Sequence, residues 1–583
     1  MKSFFKKIFS TILSVLVSFF VLLIIGVVFI SVAISAFENE KDIVVKPNSI
    51  LHIKLNSEVV ERASSNPFSN LNQEGDKGPM ELKDILDKIE KAKTDENIKL
   101  IYLNIDNINA GVSQILEIRN KLLEFKKTNK PIIAYSEVYS QLGYYLSSVA
   151  DSIYMHKEGM LELNGFSAEI MFYKDLLKKL DIDIQVIKHG KYKSAVEPFI
   201  LDKMSQENRA QVKLLLESMY NNVFDSIASQ RDIASYQIRD YINELALESP
   251  NSCKKLGFVD RLIYEDELRE IMRNITGNKK LNYVSLQKYS KSKESNQINA
   301  KEKIAIIYAN GDIESGNGDY NTIGSTTTAK AIREARKNSD IKAIVFRVNS
   351  PGGSALASDV ILREALLAKK QKPFIVSMGD YAASGGYYIS CMADKIVANP
   401  TTITGSIGVF GMVPNLERFY KNKLGISIDT VKTNKYSDMG FNRKLSDFER
   451  NKIKSGVKRI YDTFIGHVSL GRNMSKDDVN TIGQGRVWSG YDAKKIDLID
   501  EYGGLETAIS IASQMAEIDN FKIISLPKKK DPLESLMSEI KIKHSFQNFL
   551  NTLGIDTEFT DSVKKILDED PVQARIPYII KLK

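Results

Sequence analysis

The chain of 583 residues contains two copies of one sequence unit, and this duplication constrains its fold more than any other feature. Residues 136–151 align without a gap with residues 379–394, so that Tyr387 lies 243 positions after Tyr144. An apolar run precedes each of the two stretches. Because self-similarity at a fixed offset indicates repeated structural units, we expect two similar domains in tandem.

The two copies differ at a position that matters for chemistry. Ser384 of the second copy stands before two glycines at the expected start of a helix, and the first copy has Gln141 at the equivalent position. A serine there is often only an N-cap. The difference between the copies favours a nucleophile instead, retained in a catalytic half and lost from a supporting half. Asp380 is expected to cap a helix or form a turn rather than serve as the acid of a triad.

A serine hydroxyl is a weak nucleophile and needs a neighbouring base. None of the five histidines lies in a strong motif, and a lysine can act instead if burial lowers its pKa. Lys193 is the candidate, because the second copy has Ser437 at the matching position on an offset of 244. A lysine in such a polar run is usually solvated. The rival bases are Lys191, His189, Lys432 and Lys435.

A third difference concerns glycines that could present backbone N–H groups to a substrate carbonyl. Gly352 and Gly353 follow an expected strand of the second copy, whereas the first copy has Asn109 and Ala110 there. Glycines let the backbone approach a substrate closely and direct an N–H at a developing oxyanion. We expect an oxyanion hole formed by Gly353 and by Gly385, although a plain turn is the alternative.

Strand and helix patterns alternate in both copies, which is typical of an α/β fold with crossover connections. In the second copy the expected order is strand 341–346, helix 355–370, strand 374–377, helix 384–393 and strand 395–398. The predicted domains are a cytoplasmic stub with a transmembrane anchor (1–45), repeat one (46–282), a polar linker (283–300), repeat two (301–526) and a charged, amphipathic tail (527–583).

Composition excludes several classes of protein. The chain is 43% hydrophobic and 26% charged, as in ordinary globular proteins. Its net charge of +8 is small for this length and no basic block stands out, so no nucleic-acid partner is expected. Cys253 and Cys391 are too few for a disulfide framework. Without a Cys-x-x-Cys pair or clustered histidines, neither a metal site nor a cofactor is expected.

The N-terminus reads as a membrane anchor. Three lysines precede residues 8–37, an apolar run without charges that exceeds the ~20 residues of a spanning helix and the ~15 of a signal peptide core. Residues 31–33 could still form a cleavage site for a signal peptidase. The lysines predict a cytoplasmic N-terminus, which places the rest of the chain on the extracytoplasmic side of the cell (inner) membrane.

Several motifs resemble the signal peptide peptidase A family, also called protease IV, in its long, duplicated and membrane-anchored form. The motifs are residues 192–199 (YKSAVEPF), 349–353 (NSPGG), 381–386 (YAASGG), 404–409 (TGSIGV) and 485–490 (GRVWSG). The resemblance extends over the anchor and both repeats and leaves only the tail without a counterpart.

The resemblance implies a Clp-protease/crotonase-like fold and a serine endopeptidase with a Ser/Lys dyad. Its substrates would be cleaved signal peptides and other apolar peptides. It maps Ser384 to the nucleophile, Lys193 to the general base, Gly353 and Gly385 to the oxyanion hole, and Ser406 to a hydroxyl that orients the lysine. It also implies a homotetramer, anchored to membrane lipid through the N-terminal helix, with its catalytic body on the periplasmic side.

Two other classes of function stay open from the sequence. Crotonase-like folds also bind acyl thioesters through paired N–H donors, so a non-proteolytic acyl-binding enzyme is one alternative. That chemistry requires neither Ser384 nor Lys193 and would belong in the cytoplasm. An inactive membrane scaffold is the other alternative, and labelling of Ser384 by a serine-directed probe would separate the peptidase from both.

Overall fold

The computed structural model describes residues 17–22, 24, 44–63, 78–289, 300–529 and 572–575 of the chain. Most of the predicted anchor (8–37), part of the predicted linker and most of the predicted tail lie outside these residues. Among the described residues, no helix combines the length and the apolar character needed to cross a membrane. The described part consists mainly of the two repeats.

Repeat one alternates strands with helices. Its strands are β1 (Ser49–Ile53), β2 (Val59–Val60), β3 (Met80–Glu81), β4 (Ile98–Leu103), β5 (Ile132–Tyr139), β6 (Ser152–Leu161), β7 (Asp183–His189), β8 (Arg261–Leu262) and β9 (Tyr283–Ser285). Its helices are α1 (Leu82–Thr94), α2 (Val112–Lys126), α3 (Gln141–Ser147), α4 (Lys174–Lys179), α5 (Glu197–Ile200), α6 (Gln206–Arg231), α7 (Ser235–Asn243), α8 (Pro250–Lys255), α9 (Glu265–Thr276) and α10 (Leu286–Tyr289). Six strands form a parallel sheet in the order β8-β6-β5-β4-β1-β9.

The second repeat has the same alternation of strands and helices. Its strands are β10 (Lys303–Asn310), β11 (Asp312–Glu314), β12 (Thr322–Gly324), β13 (Ile341–Ser350), β14 (Gly352–Ser354), β15 (Phe374–Ala383), β16 (Lys395–Ala398), β17 (Ile403–Gly405), β18 (Val409–Asn415), β19 (Val487–Ser489), β20 (Glu501–Tyr502) and β21 (Lys522–Leu526). Its helices are α11 (Ser325–Lys337), α12 (Ala355–Lys369), α13 (Gly385–Tyr388), α14 (Glu417–Lys423), α15 (Asp447–Arg472), α16 (Lys476–Ile482), α17 (Gly490–Lys495) and α18 (Leu505–Met515). The main sheet runs β19-β17-β15-β13-β10-β21, with β16 beside β15 and β20 beside β16.

The main sheet of repeat two is parallel except for β19, which pairs antiparallel with β17. Its central strands are apolar on both faces, as parallel strands covered by crossover helices require. Along β13, Ile344 and Phe346 belong to a core cluster that includes residues of α12. Val345, between them, faces the opposite side and belongs to a cluster with Leu505 and Ala508 of α18. Successive side chains of the strand therefore supply two separate cores.

A third sheet joins the two repeats. It runs β12-β11-β14-β22-β18-β7, where β22 (Val572–Arg575) is a strand of the tail. Strand β7 of repeat one pairs antiparallel with β18 of repeat two along its whole length, from Asp183 opposite Asn415 to His189 opposite Val409. This pairing carries the chain that follows β7 into repeat two.

A buried arginine also fixes the repeats together. Arg347, on β13, donates from Nε and Nη2 to the Glu61 carboxylate at 2.9 Å each, and from Nη2 to Glu117 at 2.8 Å. The arginine side chain is fully buried, and the two carboxylates are 2% and 4% exposed. Since both glutamates belong to repeat one, the charge of Arg347 is neutralised only when the repeats are docked.

Several strands extend beyond the predicted ends. Strand β13 continues to Ser350 because its parallel pairing with β10 persists as far as Asn349. Strand β15 continues to Ala383 because β17 pairs with its last three residues. Both extensions depend on partner strands that are distant in sequence. The helix predicted over 384–393 is confined to α13 and is followed by turns, since the chain must reach β16 within a few residues.

Candidate active site

Ser384 occupies a tight turn between strand β15 and helix α13. Its backbone has φ 56° and ψ −111°, a conformation that residues with a side chain seldom adopt and that is typical of functional sites. The N–H of Ser384 donates to the carbonyl of Gly405 at 2.7 Å, which holds the turn against β17. The side chain is fully buried and makes no capping hydrogen bond to α13, so its hydroxyl is free for other contacts.

Lys193 lies in the loop after β7, where repeat one reaches into repeat two. Its Nζ lies 2.7 Å from Oγ of Ser384 and 3.2 Å from Oγ of Ser406. The side chain has no exposed surface, and burial lowers the pKa of the Lys193 amine well below its ordinary value. A lysine that loses its proton readily offers a lone pair to the Ser384 hydroxyl.

Two glycines of repeat two shape the slot that holds Lys193. Gly485 has φ +84°, and a Cβ built on it would lie 2.6 Å from Cβ of Lys193. A Cβ on Gly408 would lie 3.3 Å from Cδ of the same lysine. Any side chain at Gly485 would push the lysine away. The sequence alone assigns no role to either glycine. Its only signal is that Gly408 lies in the motif 404–409 and Gly485 in the motif 485–490.

Ser406 lies beside the Lys193 amine. Its hydroxyl lies 3.2 Å from Nζ and donates to the carbonyl of Gly485 at 3.2 Å. The N–H of Ser406 donates to the carbonyl of Arg486 at 2.7 Å, so its own backbone is fixed as well. This position fits the orienting hydroxyl that the resemblance implies.

The expected oxyanion glycines lie close to one another beside Ser384. A Cβ built on Gly385 would lie 3.1 Å from the amide nitrogen of Gly353, and one built on Gly352 would lie 2.9 Å from the amide nitrogen of Gly385. Gly352 also has φ +110°, which disfavours any other residue. Two backbone N–H groups thus lie side by side, one of them on the residue that follows Ser384, and paired donors of this kind are what a site for acyl transfer needs.

The rival bases lie in other surroundings. Their neighbours are the ring of Tyr192 for Lys191 (5.2 Å), the ring of Tyr461 for His189 (4.1 Å between centroids), the carboxylate of Asp438 for Lys432 (2.9 Å) and the ring of Tyr436 for Lys435 (5.4 Å). Lys191, Lys432 and Lys435 are exposed. These three side chains therefore lie outside the buried pocket that holds Ser384.

Asp380 caps a helix of the opposite repeat. Its Oδ1 accepts a hydrogen bond from the N–H of Ser113, in the first turn of α2, at 2.8 Å. Burial, with the nearby charge of Glu61, raises the pKa of Asp380 to about 7. The capping role expected from the sequence is confirmed, and the capped helix belongs to repeat one.

Other reactive groups are set apart from this site. Within the described ranges, no group of three or more His, Cys, Asp or Glu side chains is placed to hold a metal ion. Cys253 and Cys391 are buried free thiols. Burial raises the pKa of Cys253 to about 11 and that of Cys391 to about 12, so neither is a thiolate near neutral pH.

Comparison with known proteins gives a family match in both repeats. The model of "Peptidase family S49" matches residues 124–279 and 367–519, and these segments contain Lys193 and Ser384 respectively. "Protease 4" of Haemophilus influenzae is 34% identical over 511 residues, which covers 82% of this chain and 83% of that protein.

Two further relatives match different shares of this chain. "Serine protease SPPA, chloroplastic" of Arabidopsis thaliana is 31% identical over 547 residues, covering 92% of this chain and 78% of its own length. A protein of Enterococcus faecium, provisionally named signal peptide peptidase SppA, is 32% identical over 259 residues. That match covers 43% of this chain and 74% of the relative.

Proposed function

The chain belongs to peptidase family S49 and is a serine peptidase, and on that basis we propose that it degrades cleaved signal peptides and other apolar peptides through a dyad of Ser384 and Lys193. The observation that carries the proposal is the 2.7 Å separation of Nζ and Oγ inside a fully buried pocket. The signal-peptide substrate class rests on the motifs quoted above and on the name of the Enterococcus relative.

The proposed reaction is acyl transfer in two steps. Ser384 Oγ attacks the substrate carbonyl while Lys193 Nζ takes the hydroxyl proton and then gives it to the leaving amine. The N–H groups of Gly353 and Gly385 stabilise the negative oxygen of the tetrahedral intermediate. Water then hydrolyses the ester on Ser384, with Lys193 again accepting the proton. Ser406 holds the amine in line through its 3.2 Å contact.

The experiment that tests this function combines labelling with cleavage. The purified protein should react with a serine-directed phosphonate at Ser384 and should cleave an apolar reporter peptide. Ser384→Ala should lose both properties, with a fall of several orders of magnitude in rate and an unchanged melting temperature. Near-normal turnover by a clean preparation of Ser384→Ala would contradict the proposal. It would also reopen the acyl-binding and scaffold alternatives, which the family membership disfavours.

We further propose that each repeat has the Clp-protease/crotonase-like fold. The support is the mainly parallel sheet with crossover helices in each repeat, together with two N–H donors at the end of a strand, beside β14 in repeat two. The lysine and the serine are then contributed by two copies of one fold.

The uncharged apolar run of residues 8–37 supports a membrane location. We propose that residues 8–37 span the cell (inner) membrane once, with the N-terminus in the cytoplasm and the peptidase on the periplasmic side. Protease added to spheroplasts should then digest the body of the chain, and the mature protein should keep Met1. A mature N-terminus near Phe37 would show a cleaved signal peptide instead.

Repeat symmetry supports a homo-oligomer, which we propose to be a tetramer. Strand β7 of repeat one pairs with β18 of repeat two inside the chain. The segment of repeat two that corresponds to β7 is 427–433, and the segment of repeat one that corresponds to β18 is 166–172. Neither segment forms a strand in the single chain. Val431 is 100% exposed on the first segment and Met171 56% exposed on the second. Neighbouring copies could pair these two edges as β7 and β18 pair, which would close a ring.

Light scattering tests this arrangement. Val431→Glu should shift the protein from tetramer to monomer, because a charge would enter the paired edge. Leu470→Glu is the matched control, since Leu470 is 76% exposed on helix α15 and belongs to neither of the two segments. Equal behaviour of the two variants would refute the proposed interface.

A further inference from the structure

The loop that carries Lys193 is held by a buried amide of helix α6. Nε2 of Gln211 donates to the carbonyl oxygen of Tyr192 at 3.1 Å and to Oγ of Ser194 at 3.1 Å. These two residues stand on either side of Lys193 in the chain, and Gln211 is only 2% exposed. Because a glutamine amide has two donor hydrogens, it can hold both neighbours of the lysine and so fix the backbone from which the amine projects.

The other end of the same amide reaches repeat two. The N–H of Val487 donates to Oε1 of Gln211 at 3.2 Å. Val487 begins strand β19, directly after Gly485 and Arg486. The carbonyls of these two residues accept the hydrogen bonds of Ser406 described above. Gln211 therefore connects the loop of the base with the segment that holds the orienting hydroxyl.

A buried polar cluster on α6 keeps the Gln211 amide in place. Asn208, three residues earlier on the helix, accepts from Nε2 of Gln211 at 3.1 Å and donates to the Glu197 carboxylate at 3.0 Å. The hydroxyl of Ser205, the N-cap of α6, also donates to Glu197, at 2.6 Å. Asn208 and Glu197 are each 1% exposed. Because these buried groups bond to one another, the orientation of the amide is defined.

Repeat two lacks a counterpart of this amide. Helices α6 and α15 each have 26 residues and follow a serine N-cap, and the two caps, Ser205 and Ser446, lie 241 positions apart. On that offset (452 − 211 = 241) Gln211 corresponds to Lys452, which is exposed. The amide is thus present in the repeat that supplies the base and absent from the repeat that has Ser437 in place of the lysine.

We propose that Gln211 is a positioning residue for the general base. Its amide holds the Lys193 loop so that the amine stays in a pocket without water, 2.7 Å from Oγ of Ser384. Gln211 acts through the lysine and takes no part in bond breaking itself. This inference rests on the proposed function of the Ser384/Lys193 dyad and extends it to the helix that supports the base.

The surroundings of the amine decide what a looser loop would change. Nζ of Lys193 faces the hydroxyls of Ser384 and Ser406, and the ring of Phe410 lies 6.0 Å away. Charged side chains of the adjoining segments have other neighbours: Asn208 for Glu197, the Tyr192 ring for Lys191 and the Trp488 ring for Arg486. Burial is what lowers the pKa of the amine, so water admitted by a looser loop would raise that pKa toward its ordinary value.

The pH dependence of kcat/KM on an apolar reporter peptide tests the proposal. In Gln211→Met the midpoint of the rise should move to higher pH, and a move of about one unit lowers kcat/KM about tenfold at pH values below it. KM and the rate on the high-pH plateau should stay close to those of the wild type. Ser194→Ala removes one of the two contacts beside the lysine and should move the midpoint in the same direction by less.

Gln114→Met is the matched control. Gln114 is also a buried amide of repeat one, 3% exposed, but its Nε2 donates to Glu61 at 3.1 Å instead of to the Lys193 loop. Its loss should leave the midpoint unchanged. The comparison separates a specific effect on the base from a general weakening of the contacts of repeat one.

Three results would count against the proposal. A midpoint that stays at the wild-type value in Gln211→Met would overturn it even if the rate fell equally at every pH, and the same result in Ser194→Ala would overturn it if Gln211→Met does not fold. An equal shift in Gln114→Met would assign the effect to general loosening and would overturn it too. A wild type that does not cleave the reporter would instead refute the proposed function, and the role of Gln211 with it.

Discussion

Nζ of Lys193 and Oγ of Ser384 lie 2.7 Å apart although 191 residues separate them in the chain and each belongs to a different repeat. The pairing of β7 with β18 brings the lysine across, and the turn after β15 presents the serine. Neither repeat contains both groups, so the site exists only where the two repeats meet.

The identity of the base can be tested with two neighbouring lysines. Lys193→Met should lower kcat by several orders of magnitude, because no other described amine lies within hydrogen-bond distance of Ser384. Lys191→Met is the matched control and should keep most of the activity, since the Lys191 side chain is exposed. Steady-state rates on a reporter peptide decide the question, and an inactive Lys191→Met beside an active Lys193→Met would move the assignment by two residues.

The rate of cleavage should depend on pH through the Lys193 amine. Burial lowers the pKa of this group, and only the neutral amine accepts a proton. The value of kcat/KM should therefore rise with pH and level off well below ~10.4, the pKa of an unperturbed lysine. His189→Gln should leave the midpoint of the rise unchanged. A midpoint that disappears in that variant would identify histidine as the titrating base.

The burial of Lys193 should lower the free energy of unfolding at neutral pH. The pKa of the amine is lower in the folded protein than in the unfolded chain, so the unfolded chain binds more protons between the folded pKa and ~10.4. Wild-type stability should therefore rise with pH across that window. Lys193→Met removes the titration and should be the more stable protein at pH 7, by a margin that shrinks toward pH ~10. Denaturation curves at several pH values measure this margin, and a constant margin would contradict the expectation.

Loss of Arg347 should destabilise the docked repeats strongly. Arg347→Met leaves the buried carboxylates of Glu61 and Glu117 without their cation, and removal of one partner from a buried ion pair costs about 3–5 kcal/mol. Arg269→Met is the control, because both partners of the Arg269–Glu265 pair are exposed and solvent screening leaves the pair with little effect on stability. Urea titration followed by fluorescence compares the two, and equal losses would argue against a buried inter-repeat network.

Mixed oligomers test whether each dyad comes from one chain. Ser384→Ala and Lys193→Met, expressed together and purified as mixed oligomers, should stay inactive because every chain lacks one member of its own dyad. A dyad shared between neighbouring copies would restore a fraction of sites with an intact lysine and an intact serine. Recovered activity in the mixture would therefore assign the two residues to different copies.

Comparison of the two repeats within one sequence identified the two side chains that the structure places in contact. This was possible because each repeat has lost the group that the other keeps, and such losses are visible as Gln141 opposite Ser384. The packing around them was not accessible in the same way. Gly485 lies against Lys193 only because of the tertiary fold, and nothing in its sequence neighbourhood shows that contact.

The connections between the repeats were hidden for a related physical reason. A run such as residues 183–189 reads as a strand, but its pairing partner is chosen by tertiary structure, and here that partner is β18 of the other repeat. Arg347, Glu61 and Glu117 read as ordinary surface charges, since a single sequence does not show which charges are buried. The position of β22 beside Gly352 and Gly353 likewise depends on strand pairing that a single sequence does not show.

The crossing of β7 into repeat two also makes the proposed peptidase latent until its chain has finished folding. In a chain whose repeats are still separate, Lys193 is solvated, keeps its proton and lies far from any serine partner. Such a chain cannot attack itself or its neighbours while unprotected segments are exposed. Peptidase activity therefore appears only after the two repeats have docked.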